Sequence, residues 1–179
     1  MKTIFQKLLI LCILFGSGLL TSTVLAQDEN SSLTDAEIAS IAVVANQIDI
    51  DFAEIAKERS TDEEVLWLAR TMATDHQMVI DRAVDLVTRL GVTPEDNAVS
   101  QSLNEEARAT RERLRNLPQE EFDEEYVENE VAYHEKVIAA VEGLLIPQAE
   151  NKELKALLEE VLPVLEGHLE HARMIGKNH

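Results

Sequence analysis

The chain has 179 residues, of which 34 are acidic and 16 are Lys or Arg, for a formal charge of −18, and it contains a single cysteine. That balance disfavours a nucleic-acid or anionic-membrane partner and favours cations, divalent metals among them. One cysteine excludes an intramolecular disulfide and any multi-thiolate metal site, and the length suits one folded domain.

Residues 1–26 read as a secretory signal. Lys2 and Lys7 precede an apolar run over 8–20, and Val24 and Ala26 occupy the −3 and −1 positions of a cut between Ala26 and Gln27. Gly16, Ser17, Gly18, Thr21, Ser22 and Thr23 interrupt the run, which falls short of the ~20 apolar residues of a spanning helix. Cys12 lies inside the run and follows Leu11, not the small residue that a lipid-attachment site needs. Cleavage removes two lysines, no acids and the only cysteine, leaving 14 basic and 34 acidic residues and a charge of −20. The expected product is periplasmic or otherwise exported and has no transmembrane segment. Any metal it holds must take nitrogen and oxygen ligands.

Residues 27–33 are polar and aperiodic, a flexible leader. The first helix starts at Thr34, where Thr34 and Glu37 form a capping box. Its apolar seam is Ile38, Ile41, Ala45, Ile48, Phe52 and Ile55. After a short loop, Ser60, Thr61, Glu63 and Glu64 signal a second start. The second helix then follows along Val65, Leu68, Met72, Val79, Ala83, Leu86 and Leu90. Gly91 and Pro94 stop it. A charged, weakly apolar helix spans Asn97 to Asn116. Pro118 opens the next helix, with the seam Val127, Val131, Ile138, Val141 and Leu145, and Pro147 ends it. The last runs from about Asn151 to Gly176, with Pro163 inside it. Short loops join the first and last helix pairs. The expected fold is all-α: a ferritin-like four-helix bundle over 34–176, with a long helical crossover between the second and third bundle helices and a tail at 177–179.

Three seams are broken by histidines: His76 in the second helix, His134 in the third and His168 in the last. Acids crowd the same faces, with Asp49 in the first helix, Asp75 beside His76, and Glu130 one turn before His134. Buried polar groups need partners, so these residues pair with one another, with water or with a metal. Imidazole and carboxylate donors on facing helices suit zinc, copper or iron. His168 and His171, spaced i, i+3 and accompanied by Glu166 and Glu170, make a local candidate chelate. The competing reading makes the histidines structural, fixing helix register. A level estimate restrains the metal reading: with a fold-back near residue 148, His134 and His168 stand about 9 Å apart along the axis, so one ion reaches both only if the turn is shifted. The Glu-x-x-His signature of di-iron bundles is absent, since Glu130 and His134 are four apart. Trp67, Tyr126 and Tyr133 read as packing residues, Met72 and Met78 as gap fillers, and no catalytic motif is present.

The stretches Ala69–His76, Phe122–His134 and Leu162–Ala172 together resemble a ferritin-like family of exported bacterial proteins, domain of unknown function four-one-four-two, often labelled predicted outer membrane protein. The likeness spans about residues 34–175. It implies a ferritin-like bundle in the bacterial envelope, and nothing in the chain looks like a membrane barrel. The family's matching histidines fall on His76, His134 and His168. Where relatives typically carry Glu in the first helix and Gln in the third, this chain has Asp49 and Glu130. The family has no settled biochemical activity. The leading expectation is divalent transition-metal binding or envelope stress protection. The alternative is a non-catalytic envelope interaction or maintenance protein, with a redox enzyme third; a homo-oligomer is compatible with each.

Overall fold

The computed structural model describes residues 32–177; the expected signal segment, the first part of the leader and residues 178–179 lie outside them. Every regular element among the described residues is helical: α1 (Asp35–Arg59), α2 (Glu63–Leu90), α3 (Ala98–Asn116), α4 (Gln119–Ala140), a π-helical turn (Val141–Leu145), α5 (Ile146–Gln148) and α6 (Lys152–Ile175). No helix among them is long and apolar enough to cross a membrane.

Local chemistry sets the helix ends. Thr34 and Glu37 form the capping box of α1, each side chain satisfying a backbone N–H of the other residue. The start of α2 differs from expectation. Asp62, not Ser60 or Thr61, is the cap, because its carboxylate accepts from the N–H groups of both Glu64 and Val65. Gly91 ends α2 in the left-handed region at φ 67°, which only glycine adopts without strain. Asn97 and Asn151 cap α3 and α6 through their side-chain oxygens. Pro147 does not end the third long helix. Helical backbone runs through the π turn and α5 to Gln148, and Pro147 is carried inside this run at the cost of one backbone hydrogen bond.

The helix α1 packs along α2, and α4 along α6, with further contacts from α2 to α6 and from α1 to α4. The charged α3 rests on α1 and touches α4, burying only Ser100, Ala107 and Leu114. Arg59 fixes the far end of α3: its guanidinium donates to the carbonyls of Leu114 and Leu117 and lies 4.6 Å over the Phe122 ring.

The apolar interior forms two clusters. One gathers Phe52, Leu68, Met72, Phe122, Tyr126 and Ala172; the other gathers Ile38, Ile41, Leu86, Val141, Leu158 and Leu165. Along each long helix the chain passes from one cluster to the other through a polar position: Asn46 and Asp49 in α1, His76 in α2, Glu130 and His134 in α4, and His168 in α6. A single polar layer thus divides two apolar cores.

Candidate metal centre

The layer is buried. Asp49 and Glu130 are 0% exposed, His134 1%, His76 3% and His168 6%. The ring centroids of the three histidines stand 5.2–5.6 Å apart in every pair. One ring nitrogen from each lies within 4.8 Å of the others, and Asp49, Glu130 and His134 form a second such group.

Each imidazole has one nitrogen held and one free. His76 Nδ1 donates to Asn46 Oδ1 at 2.7 Å, and Asn46 is itself fixed because its amide N–H donates to the Ala42 carbonyl at 2.7 Å. His134 Nδ1 donates to the Glu130 carbonyl at 2.9 Å. His168 Nε2 donates to the Asp75 carboxylate, also at 2.9 Å. These partners set the tautomers and leave lone pairs on His76 Nε2, His134 Nε2 and His168 Nδ1, all buried and without a hydrogen-bond partner. Asp49 presents one oxygen 3.5 Å from His76 Nε2 and the other 3.7 Å from His134 Nε2. Ligand atoms around a tetrahedral ion are about 3.4 Å apart for bonds of about 2.1 Å, so a modest contraction brings these donors to bonding distance.

The electrostatics follow from burial. Desolvation pulls the His76 imidazole down to about 3, helped by the neighbouring His168. It also lowers His134, against the opposing pull of Asp49. Both rings are therefore neutral at pH 7, the form that ligates metals. Burial pushes the Glu130 carboxyl well above its usual range, reinforced by the Asp49 charge, and raises Asp49 as well. Glu130 interacts with the Asn129 side chain and with Asp49, so the two carboxyls form a facing pair in which a protonated Glu130 donates to Asp49. Such a pair accommodates either a shared proton or a cation.

Of the residues singled out from sequence, His76, His134, His168, Asp49 and Glu130 come together in this layer. Asp75 stands behind it as the acceptor of His168, the usual place for a carboxylate that orients a histidine. His171 does not join. Its ring lies 4.5 Å from that of Trp67, half-exposed at 50%, on the outer side of α2 and α6. Met72 is core and Met78 is exposed, so neither reaches the layer. The 9 Å level offset is also overcome: His134 and His168 rings are 5.5 Å apart. Side chains lean toward the N-terminus of their own helix, and on antiparallel α4 and α6 these leans converge. Asn46 was not singled out, although it shares a helix face with Ala42 and Asp49. Tyr133 packs as expected and donates its hydroxyl to the Ala45 carbonyl at 2.8 Å, while Tyr126 keeps a buried hydroxyl with no partner.

Fold and site together define an all-helical protein with a buried histidine and carboxylate layer. The chain matches the family described as Domain of unknown function (DUF4142) over residues 20–175 and belongs to it, bearing out the resemblance in its sequence. No functionally curated protein matches the chain. Its fold is similar to that of a DUF305 fragment from Deinococcus radiodurans, with a TM-score of 0.69 and 16% identity over 81% of this chain and 96% of that one. CopM in its Cu(II)-bound form is likewise similar in fold, with a TM-score of 0.61 and 16% identity over 83% of this chain and 99% of that one.

Proposed function

We propose that this protein binds a divalent transition metal, zinc, copper or iron, through His76, His134, His168 and Asp49, with Glu130 as a neighbouring carboxylate. The observation that carries the reading is the set of three imidazole lone pairs left without partners beside the Asp49–Glu130 carboxyl pair in a buried core, while the far nitrogen of every ring is held. Unpartnered buried polar atoms of this kind are costly, and an ion satisfies all of them at once. The arrangement of Asn46, the Glu130 carbonyl and Asp75 is that of groups which orient ligating imidazoles. Copper(II) heads the divalent affinity order for such donors, and the fold neighbour CopM is described as Cu(II)-bound.

The wider reading is an exported protein with a ferritin-like four-helix bundle over 34–176, α3 as its crossover, and a signal cleaved after Ala26. Its role is metal sequestration, buffering or stress protection in the bacterial envelope. Purely structural histidines would account for the held nitrogens but leave the three lone pairs and Asp49 with no function.

Metal analysis of the purified protein after zinc, copper and iron loading is the test. The expected result is one ion per chain, lost in His134→Ala. Sub-stoichiometric binding that His134→Ala leaves unchanged would overturn the reading.

A further inference from the structure

On one side of the polar layer, within the core that contains Leu158 and Leu165, packing leaves a cavity of about 130 Å³. Its walls are almost wholly apolar, formed by side chains such as Ala42, Ala83, Leu158 and Val161. Its end is closed by Asp49, His76 and His134, so the void abuts the layer itself.

Three features indicate a built chamber. The first is its size: a natural core of normal density holds few voids larger than a water molecule, and larger side chains at Ala42 or Ala83 would close this one. The second is the π turn, whose Val141 and Leu145 both line the cavity; π turns widen a helix and recur at functional sites. The third is a path from outside. Leu103, Tyr133 and Lys136 line both the cavity and an outer groove between α3 and α4, so one layer of side chains separates the two. The Lys136–Glu106 ion pair spans that seam, and α3 itself is thinly buried.

The lining selects the guest. Away from the layer the walls offer water none of the two to four partners it needs, so a water molecule can bond only at the end formed by Asp49, His76 and His134. A charged or strongly polar molecule would lose its hydration and gain almost nothing in return. Apolar cavities of about 150 Å³ stay dry and take benzene or xenon. We propose that this chamber binds a small uncharged apolar molecule, no larger than a single aromatic ring, and presents it to the exposed edge of Asp49, His76 and His134. The proposal goes beyond metal binding and is tested on metal-free protein.

The test uses the full, chelator-treated chain with labelled Val and Leu methyls, titrated with xenon under pressure and with benzene. The expected result is saturable shifts confined to Val141, Leu158, Val161 and their neighbours, with a melting temperature that rises with benzene. Ala83→Leu and Ala42→Leu, each checked for helicity, should weaken binding at least tenfold; if one fails to fold, the other decides. No saturable shift in the native chain, or undiminished binding in a folded filled variant, would overturn the proposal. A failed metal analysis would leave these shifts intact, and absent shifts would leave the metal stoichiometry intact, so the two outcomes are distinguishable.

Discussion

Asp49 occupies the middle of a buried layer in which, without a cation, its two oxygens face imidazole lone pairs and a second carboxyl. A metal-free fold that carries this group is strained by it. Asp49→Asn is therefore expected to raise the stability of metal-free protein by about 1–3 kcal/mol in urea unfolding, while lowering metal affinity. A structural carboxylate would give the opposite sign. Asn46 makes a second prediction. Asn46→Ala frees His76 to rotate and should weaken metal binding by about 10–100-fold in a competition titration, the usual effect of removing a group that orients a ligand. The three histidines were legible in the sequence because each interrupts an apolar seam. Asn46 was not, since its role depends on a histidine 30 residues away on another helix. His171 misled because an i, i+3 pair shares a face locally, yet Trp67 on α2 takes its ring.

Among the elements, the π turn is the one that sequence pattern could not disclose. The apolar residues Val141, Leu144 and Leu145 fit an α-helical stripe equally well, so their spacing carries no sign of the wider turn. The start of α1 and the end of α2 were legible, because a capping box at Thr34 and a left-handed Gly91 are local chemistry. The cap of α2 falls on Asp62 because Ser60 already ends α1, its hydroxyl accepting from the Asp62 N–H, and Asp62 stands where its carboxylate reaches the Glu64 and Val65 N–H groups. Gly143 is exposed and lies within the π turn. Deleting it removes the residue that the wide turn absorbs, so ordinary α winding returns with the flanking faces still in register. Helix content by circular dichroism and metal affinity should both be nearly unchanged, while the cavity lined by Val141 and Leu145 narrows. A tenfold loss of metal affinity would show that the turn sets the register of His134.

At the scale of the molecule, two apolar cores are joined through a titratable layer, so stability depends on pH with terms of opposite sign. His76, at about 3 in the fold against an ordinary 6.5, binds fewer protons folded than unfolded. Its contribution grows as pH rises from about 3 to 6.5 and is complete above that. Glu130 and Asp49 are raised, so the folded state holds their protons longer than the unfolded state does. Their contribution is full at low pH and is lost as pH rises through the folded values. Above about pH 6.5 the His76 term has levelled off while the raised carboxyls still act in the opposite sense. The urea midpoint of metal-free protein should therefore fall as pH rises through the folded Glu130 range, and Glu130→Gln should flatten that fall. A midpoint that rises over this range in the native chain would contradict the raised carboxyls.

The tilted ring contact between Trp67 and His171 has a practical consequence. Trp67 is the chain's one tryptophan, it sits on α2, and its partner ring sits on α6, three residues beyond His168. These two helices each bring a histidine to the polar layer. The indole is thus a built-in optical gauge of the distance between them, and ion loading that draws α2 toward α6 registers as a change in its emission without an added label.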